Sequence, residues 1–196
     1  RMSGANVVVA CDVNNPLCGP RGASAIFGPQ KGATSEDVQE LDAALGNFAE
    51  VIAKDLHTDV AEIPGAGASG GLGAGLMGFF DARLRLGADI VLEAVSLDKH
   101  LEDADLVIVG EGQFDRSTVF NKSPVAVAQR AKRRGTPVIG IAGSLGAGFR
   151  EVHKHGIDAV FSLVNRPMSL KAAMEDTKRL VAIATEEACR ALAISL

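Results

Sequence analysis

Tryptophan and tyrosine are both missing from this chain of 196 residues, and eight phenylalanines are its only aromatic side chains. An aromatic platform for stacking nucleic-acid bases would therefore rest on Phe alone. Cysteine is scarce too: Cys11, Cys18 and Cys189 form an odd set with no Cys-x-x-Cys pair. That argues against a zinc site or a disulfide framework and for reduced thiols in the cytoplasm. An excess of positive charge is also absent. Twenty Lys and Arg stand against 24 Asp and Glu, a net charge of −4, so nothing global favours nucleic acid or an anionic membrane. No apolar run approaches the roughly 20 residues that span a bilayer. No secretory leader pattern opens the chain. With 47% apolar and 22% charged residues, whole-chain disorder is excluded. The length suits one large domain or two small ones.

What the chain does have is glycine, 22 residues in clusters. Val7 to Cys11 reads as a short buried strand ending in the turn Asp12-Val13-Asn14-Asn15-Pro16. A Gly/Pro-rich stretch from Gly19 to Gly32 precedes Thr34 and Asp37, which stand at capping-box spacing. Val38, Leu41, Leu45, Phe48 and Ile52 then mark one apolar helix face. Beyond the glycine-rich run Pro64 to Gly75, a helix is predicted through Met77, Phe80 and Leu84. Asp89 to Val95 is strand-like, and Leu97 to Leu101 a short helix or turn. From Asp105 the pattern is strand, helix, strand, strand, helix. Leu106–Val109, Val138–Ala142 and Ala159–Leu163 are the strands; helices start at the Ser123 cap and near Leu170. Continuous apolar strands joined by a helix imply a parallel α/β sheet.

In open parallel sheets, ligands bind at the carboxyl ends of the strands. There the chain reads Gly110-Glu111-Gly112-Gln113-Phe114-Asp115-Arg116-Ser117-Thr118, and Gly143-Ser144-Leu145-Gly146. The first stretch offers two carboxylates and two hydroxyls, the second a small turn open to an anion. Lys122 precedes a helix start, where a cation beside free amides attracts phosphate. Glu111 and Asp115 read equally as solvated loop acids. Gly65, Gly67 and Gly70 suit either an anion cradle or tight helix packing. The run is not a Walker A loop, since no Gly-Lys-Ser/Thr follows. Asp12, with Asn15, suits a substrate hydroxyl, a metal-bound water or an Asx turn. Arg130, Lys132, Arg133 and Arg134 read as a solvated helix end, and His153 and His155 as surface residues.

Taken together, these segments resemble the bacterial glycerate kinase family. The resemblance is carried by Ala10–Leu17, Phe27–Ala33, Pro64–Gly71, Gly110–Asp115, Ile141–Gly146 and Gly156–Ser162. It extends over essentially the whole chain. Two departures stand out. Where the family usually shows Gln-Thr and then His-Gly-Lys before a proline, this chain has Ser117-Thr118 and Phe120-Asn121-Lys122. Two polar groups are thereby lost, which bears on substrate preference.

The resemblance implies ATP-dependent phosphorylation of D-glycerate to 2-phosphoglycerate, with Mg2+. It also implies an α/β fold, a flavodoxin-like parallel sheet plus an inserted second α/β domain with a restriction-endonuclease-like core. On that basis residues 1–101 are part of the inserted domain and 102–196 the carboxyl-terminal part of the flavodoxin-like one, both incomplete here. Asp115, Glu111 and Lys122 are the catalytic candidates, with Asp115 also the metal ligand. Asp12, Asn15, Gly65, Gly67, Gly70, Gly110, Gly112, Thr118, Gly143 and Ser144 are the binding candidates. The abrupt opening Arg1-Met2-Ser3 and the family's greater length imply that the chain is a carboxyl-terminal half, inactive without its amino-terminal segment. An incomplete sheet favours association of copies. A kinase for another small hydroxy acid, and a non-catalytic nucleotide-binding module, are the competing readings.

Overall fold

A computed structural model of the chain describes residues 4–120 and 122–194. The Arg1-Met2-Ser3 opening and Asn121 lie outside them. The chain divides into two compact units, residues 1–90 and 91–196.

In the first unit, strand β1 (Val8–Ala10) pairs in parallel with β2 (Arg83–Arg85), with Val8 opposite Arg83 and Ala10 opposite Arg85. Contrary to expectation β1 is not buried: Val8 is 40% exposed. A two-stranded pair covers only one edge of such a strand. Within the Gly/Pro-rich stretch sits a helix the composition concealed, α1 (Ala23–Phe27), followed by a 3-10 turn over Pro29–Lys31.

Helix α2 (Ser35–Leu56) begins as its sequence demands. Thr34 Oγ1 accepts from the Asp37 amide at 3.1 Å, and Asp37 Oδ2 accepts from the Thr34 amide at 2.8 Å. These bonds hold the Asp37 carboxyl below its ordinary pKa. Ala49 and Ile52 are buried with Leu17, Val60, Ala66, Ala74 and Met77, and Leu45 and Phe48 pack at the edge. Leu41 does not join them, so the apolar face is shorter than its periodicity implies.

Helix α3 (Leu72–Phe80) ends at Asp81, whose φ of 51° is left-handed. Leu84, predicted on that helix, is instead the middle of β2. The apolar run after it is also corrected: it forms helix α4 (Gly87–Ala94), not a strand. Short apolar runs do not distinguish the two by pattern. Here Asp12 Oδ1 accepts from the Gly87 amide at 2.8 Å, satisfying one of the donors that a helix start leaves open.

The second unit contains α5 (Leu97–His100) and a three-stranded parallel sheet in the order β3 (Val107–Phe114), β4 (Val138–Leu145), β5 (Ala159–Ser162). β4 alternates between two cores. Val138 and Ala142 face Phe114, Val109 and helix α6 (Ser123–Lys132). Ile139 and Ile141 face Ala188 of α8 (Thr177–Ile194). Helices thus cover both faces, the arrangement parallel sheets require. The single predicted last helix is two, α7 (Leu170–Glu175) and α8, broken at Asp176. Leu101 and Leu97 pack into this unit's core.

The basic cluster on α6 is not simply solvated. Arg130 is buried and pairs with Asp98 at 2.9 Å, and Lys132 pairs with Asp158 at 2.6 Å. No helix among the described residues is long and apolar enough to cross a membrane.

Candidate functional site

The second unit carries a groove of about 770 Å³ along the carboxyl-terminal part of β3 and β4 and helices α7 and α8. Gly110, Glu111, Gly112, Gly143 and Ser144 all line it. Its other walls are mostly apolar, with Ile108, Leu163, Met168, Met174 and Val181 among them, and carry the hydroxyls of Ser169, Thr177 and Thr185. These predicted residues do not sit in a loop beyond the strand. β3 continues to Phe114, so Glu111 is part of the sheet, opposite Ala142. Close approach explains one glycine: a Cβ on Gly143 would lie 2.6 Å from the Gly112 carbonyl oxygen.

Lys122 reaches the groove through Glu111. Its Nζ lies 2.9 Å from Glu111 Oε1, and this contact raises the lysine's pKa, so it stays charged. Glu111 Oε2 is buried and has no hydrogen-bond partner among the described residues, an acceptor that a ligand hydroxyl or a cation would satisfy. Ser123 does not cap α6 as predicted: it is the first helical residue, and the cap position belongs to Lys122.

Asp115 follows β3 and starts a short 3-10 turn over Arg116–Val119. Its Oδ1 accepts from the Ser117 hydroxyl at 2.6 Å and the Ser117 amide at 2.7 Å. These bonds, with a contribution from Lys122, hold the carboxyl below its ordinary range. Thr118 is fully buried, and its hydroxyl accepts from the Asp115 amide at 3.0 Å. It fixes the turn from beneath. Ser117, at a position where the resemblance expects another polar group, is thus a direct partner of Asp115. Asp115 and Thr118 close a capping box around the turn, with Thr118 in the place where Glu or Gln is usual. Phe120 is 70% exposed.

In the first unit the five predicted residues separate. Asn15 Nδ2 donates to the Arg21 carbonyl at 2.8 Å, and the Asn15 carbonyl accepts from the Gly65 and Gly67 amides, both at 3.1 Å. The Gly70 amide donates to the Gly67 carbonyl at 3.2 Å. None of the three amides points free toward an anion. A Cβ would stand 2.7 Å from Leu84 Cδ1 at Gly65, and 2.3 Å from the Pro16 oxygen at Gly67. Tight packing accounts for both glycines. Asp12 and Gly70 do meet in a cleft of about 320 Å³, joined there by Gln30, Lys31 and Ser69. Those three were not singled out individually. Ser69 is noticeable only through its backbone, with φ 52° and ψ 37° between small residues.

The whole arrangement has relatives. Residues 1–193 match the sequence profile of the Glycerate kinase family. The chain is 51% identical over 194 residues to the glycerate kinase of Halalkalibacterium halodurans, covering 99% of this chain and 50% of that protein. It is 47% identical over 196 residues to the glycerate 2-kinase of Escherichia coli K12, covering 100% and 51%. A crystal structure from Salmonella typhimurium LT2, assigned as glycerate kinase 2, superposes with a TM-score of 0.83 at 47% identity. It covers 100% of this chain and 50% of that one. The chain therefore spans about half the length of the relatives it matches.

Proposed function

The chain belongs to the glycerate kinase family, and on that footing we propose that it serves ATP-dependent phosphorylation of D-glycerate to 2-phosphoglycerate. The observation that carries this reading is the groove of the second unit, apolar along most of its wall and lined by Glu111, which pairs with Lys122. Apolar walls with a few placed polar groups are what a nucleoside needs. A lysine held charged by its partner supplies a cation for phosphate oxygens.

In the transfer, the substrate's C2 hydroxyl oxygen bonds to the γ-phosphorus, the bond from that phosphorus to ADP breaks, and the hydroxyl proton leaves. Such chemistry is largely positioning and charge stabilisation. Lys122 takes the charge that develops on the phosphoryl oxygens. Glu111 holds Lys122 in place. Asp115, ionised, is placed to accept the hydroxyl proton or to meet a cation. Gly110, Gly112, Gly143 and Ser144 leave room for backbone and hydroxyl contacts to the nucleotide.

Among the described residues no group of three or more His, Cys, Asp or Glu side chains forms a metal cage. Mg2+ commonly uses only one or two carboxylates together with substrate phosphates. Asp115 and the unpartnered Glu111 oxygen fit that mode and would hold the ion, which neutralises phosphate charge when bound. We assign residues 102–196 to the flavodoxin-like domain and 1–101 to the inserted domain, and place the protein in the cytoplasm.

A coupled ADP-release assay with 31P NMR of the product tests the function. ADP release that requires D-glycerate and yields the 2-phosphate ester is the expected result. ATP consumption indifferent to D-glycerate contradicts it, as does the absence of both turnover and nucleotide binding.

A further inference from the structure

Asp115 is half-buried at the end of β3, and the backbone on either side of it is fixed by bonds that need no side chain. The Gly146 amide donates to the Phe114 carbonyl at 2.7 Å, and the Arg116 amide to the Ala147 carbonyl at 3.1 Å. These two bonds tie the turn to the segment that ends β4. Within the turn, the Thr118 amide donates to the Asp115 carbonyl and the Phe120 amide to the Ser117 carbonyl, both at 3.1 Å. Phe114 and Thr118, fully buried, anchor it from either end. A Cβ on Gly146 would lie 3.1 Å from Asp115 Cβ, so the absence of a side chain there lets the two segments close together. The Ser117 side chain takes no part in any of this. Its hydroxyl is exposed and has no hydrogen-bond partner among the described residues except Asp115 Oδ1, to which it donates at 2.6 Å. That length falls in the range of a charge-assisted bond from a hydroxyl to a carboxylate, about 2.5–2.7 Å.

We propose that Ser117 is a positioning residue, whose hydroxyl locks the Asp115 carboxylate in the orientation that phosphoryl transfer uses; the inference rests on the reading of Asp115 as a member of that site. Backbone amides of the turn also meet the carboxylate, as they do at a capped helix start. They remain whatever side chain stands at 117. Rotation of an aspartate about its Cβ–Cγ bond is broad, so a carboxylate held over a turn by amides can still rock. The hydroxyl is the one donor that a side chain adds, and it shares Oδ1 with the Ser117 amide. Two donors converging on one oxygen from different atoms oppose the rocking. Accepting a proton or meeting a cation depends on that alignment, since small misplacements of a reacting group are costly in rate. Ser117 stands at one of the positions where the chain departs from the family pattern, and its short side chain reaches back directly to the neighbouring carboxylate.

The experiment joins a spectroscopic reading to a mutant cycle, both on the full chain. Carboxyl-detected 13C NMR at neutral pH, where Asp115 is ionised throughout, follows the Asp115 Cγ resonance. In Ser117→Ala it should move toward the position of a freely solvated aspartate, while the amide spectrum stays that of the folded chain. Ser117→Thr should keep the wild-type position. Turnover of D-glycerate with Mg2+-ATP should fall about 10- to 100-fold in Ser117→Ala, the effect of one lost charge-assisted hydrogen bond, and recover in Ser117→Thr. In an Asp115→Asn background the same Ser117→Ala change should cost almost nothing further, because residues that act as a unit are not additive. An unmoved Cγ resonance would overturn the proposal, and so would an equal loss of rate in both backgrounds. A wild-type chain that turns over no D-glycerate contradicts the kinase reading instead. The Cγ resonance then still decides whether Ser117 holds Asp115.

Discussion

Gly140 shows how little room a single residue has in the second unit. A Cβ there would lie 2.6 Å from the Phe114 ring, and that ring is fully buried. Gly140→Ala is therefore expected to destabilise the fold by about 1–3 kcal/mol, the range for overpacked cores. Urea unfolding checks it; an unchanged midpoint would mean the ring can move aside. Asp115 makes a second case. Removing its charge as Asp115→Asn leaves a side chain of the same shape, so at neutral pH the chain should still fold, with a modestly lower melting temperature, while the rate falls by about 10²–10³, typical of one lost electrostatic contact. Normal turnover would remove Asp115 from the chemistry. The carboxyl's depressed pKa also fixes a sign. Its charge-dependent contribution is present above the ordinary carboxylate value of about 3.9 and is lost as pH falls through the lower folded value. Folding measured from pH 5 downward should weaken in wild type more than in Asp115→Asn.

At the level of elements, α2 offers the clearest test. Both bonds of the Thr34–Asp37 box are formed at its start. Thr34→Ala should cost about 0.5–2 kcal/mol, measured by thermal unfolding, with Thr34→Ser close to wild type. This element was readable because capping and periodicity are local. β3, β4 and β5 were readable for a similar reason: continuous apolar runs bounded by turn residues. What local pattern did not carry was set by distant partners. α4 is a helix whose first amide is satisfied by Asp12, 75 positions earlier. β2 exists because β1 lies beside it. The site shows the same division. Gly110, Glu111, Gly112, Gly143 and Ser144 could be collected from strand ends alone. Lys31 and Ser69 could not, because only the folding of separate turns brings them to Asp12.

For the molecule as a whole, the claim that matters most is that the nucleotide occupies the apolar groove of the second unit, beside the Glu111–Lys122 pair. Ile108, Met168, Met174 and Val181 carry methyl groups on its wall, whereas Met77 and Ile52 belong to the first unit's core and serve as internal controls. Family membership fixes the class of protein, but it leaves open which residues hold which substrate. The direct measurement is a methyl NMR titration of the chain with Mg2+-ATP, repeated on Lys122→Met. The account predicts saturable shifts at Ile108, Met168 and Met174, silence at Met77 and Ile52, and markedly weaker binding in the variant. Shifts confined to the first unit, or the same affinity without Lys122, would contradict it.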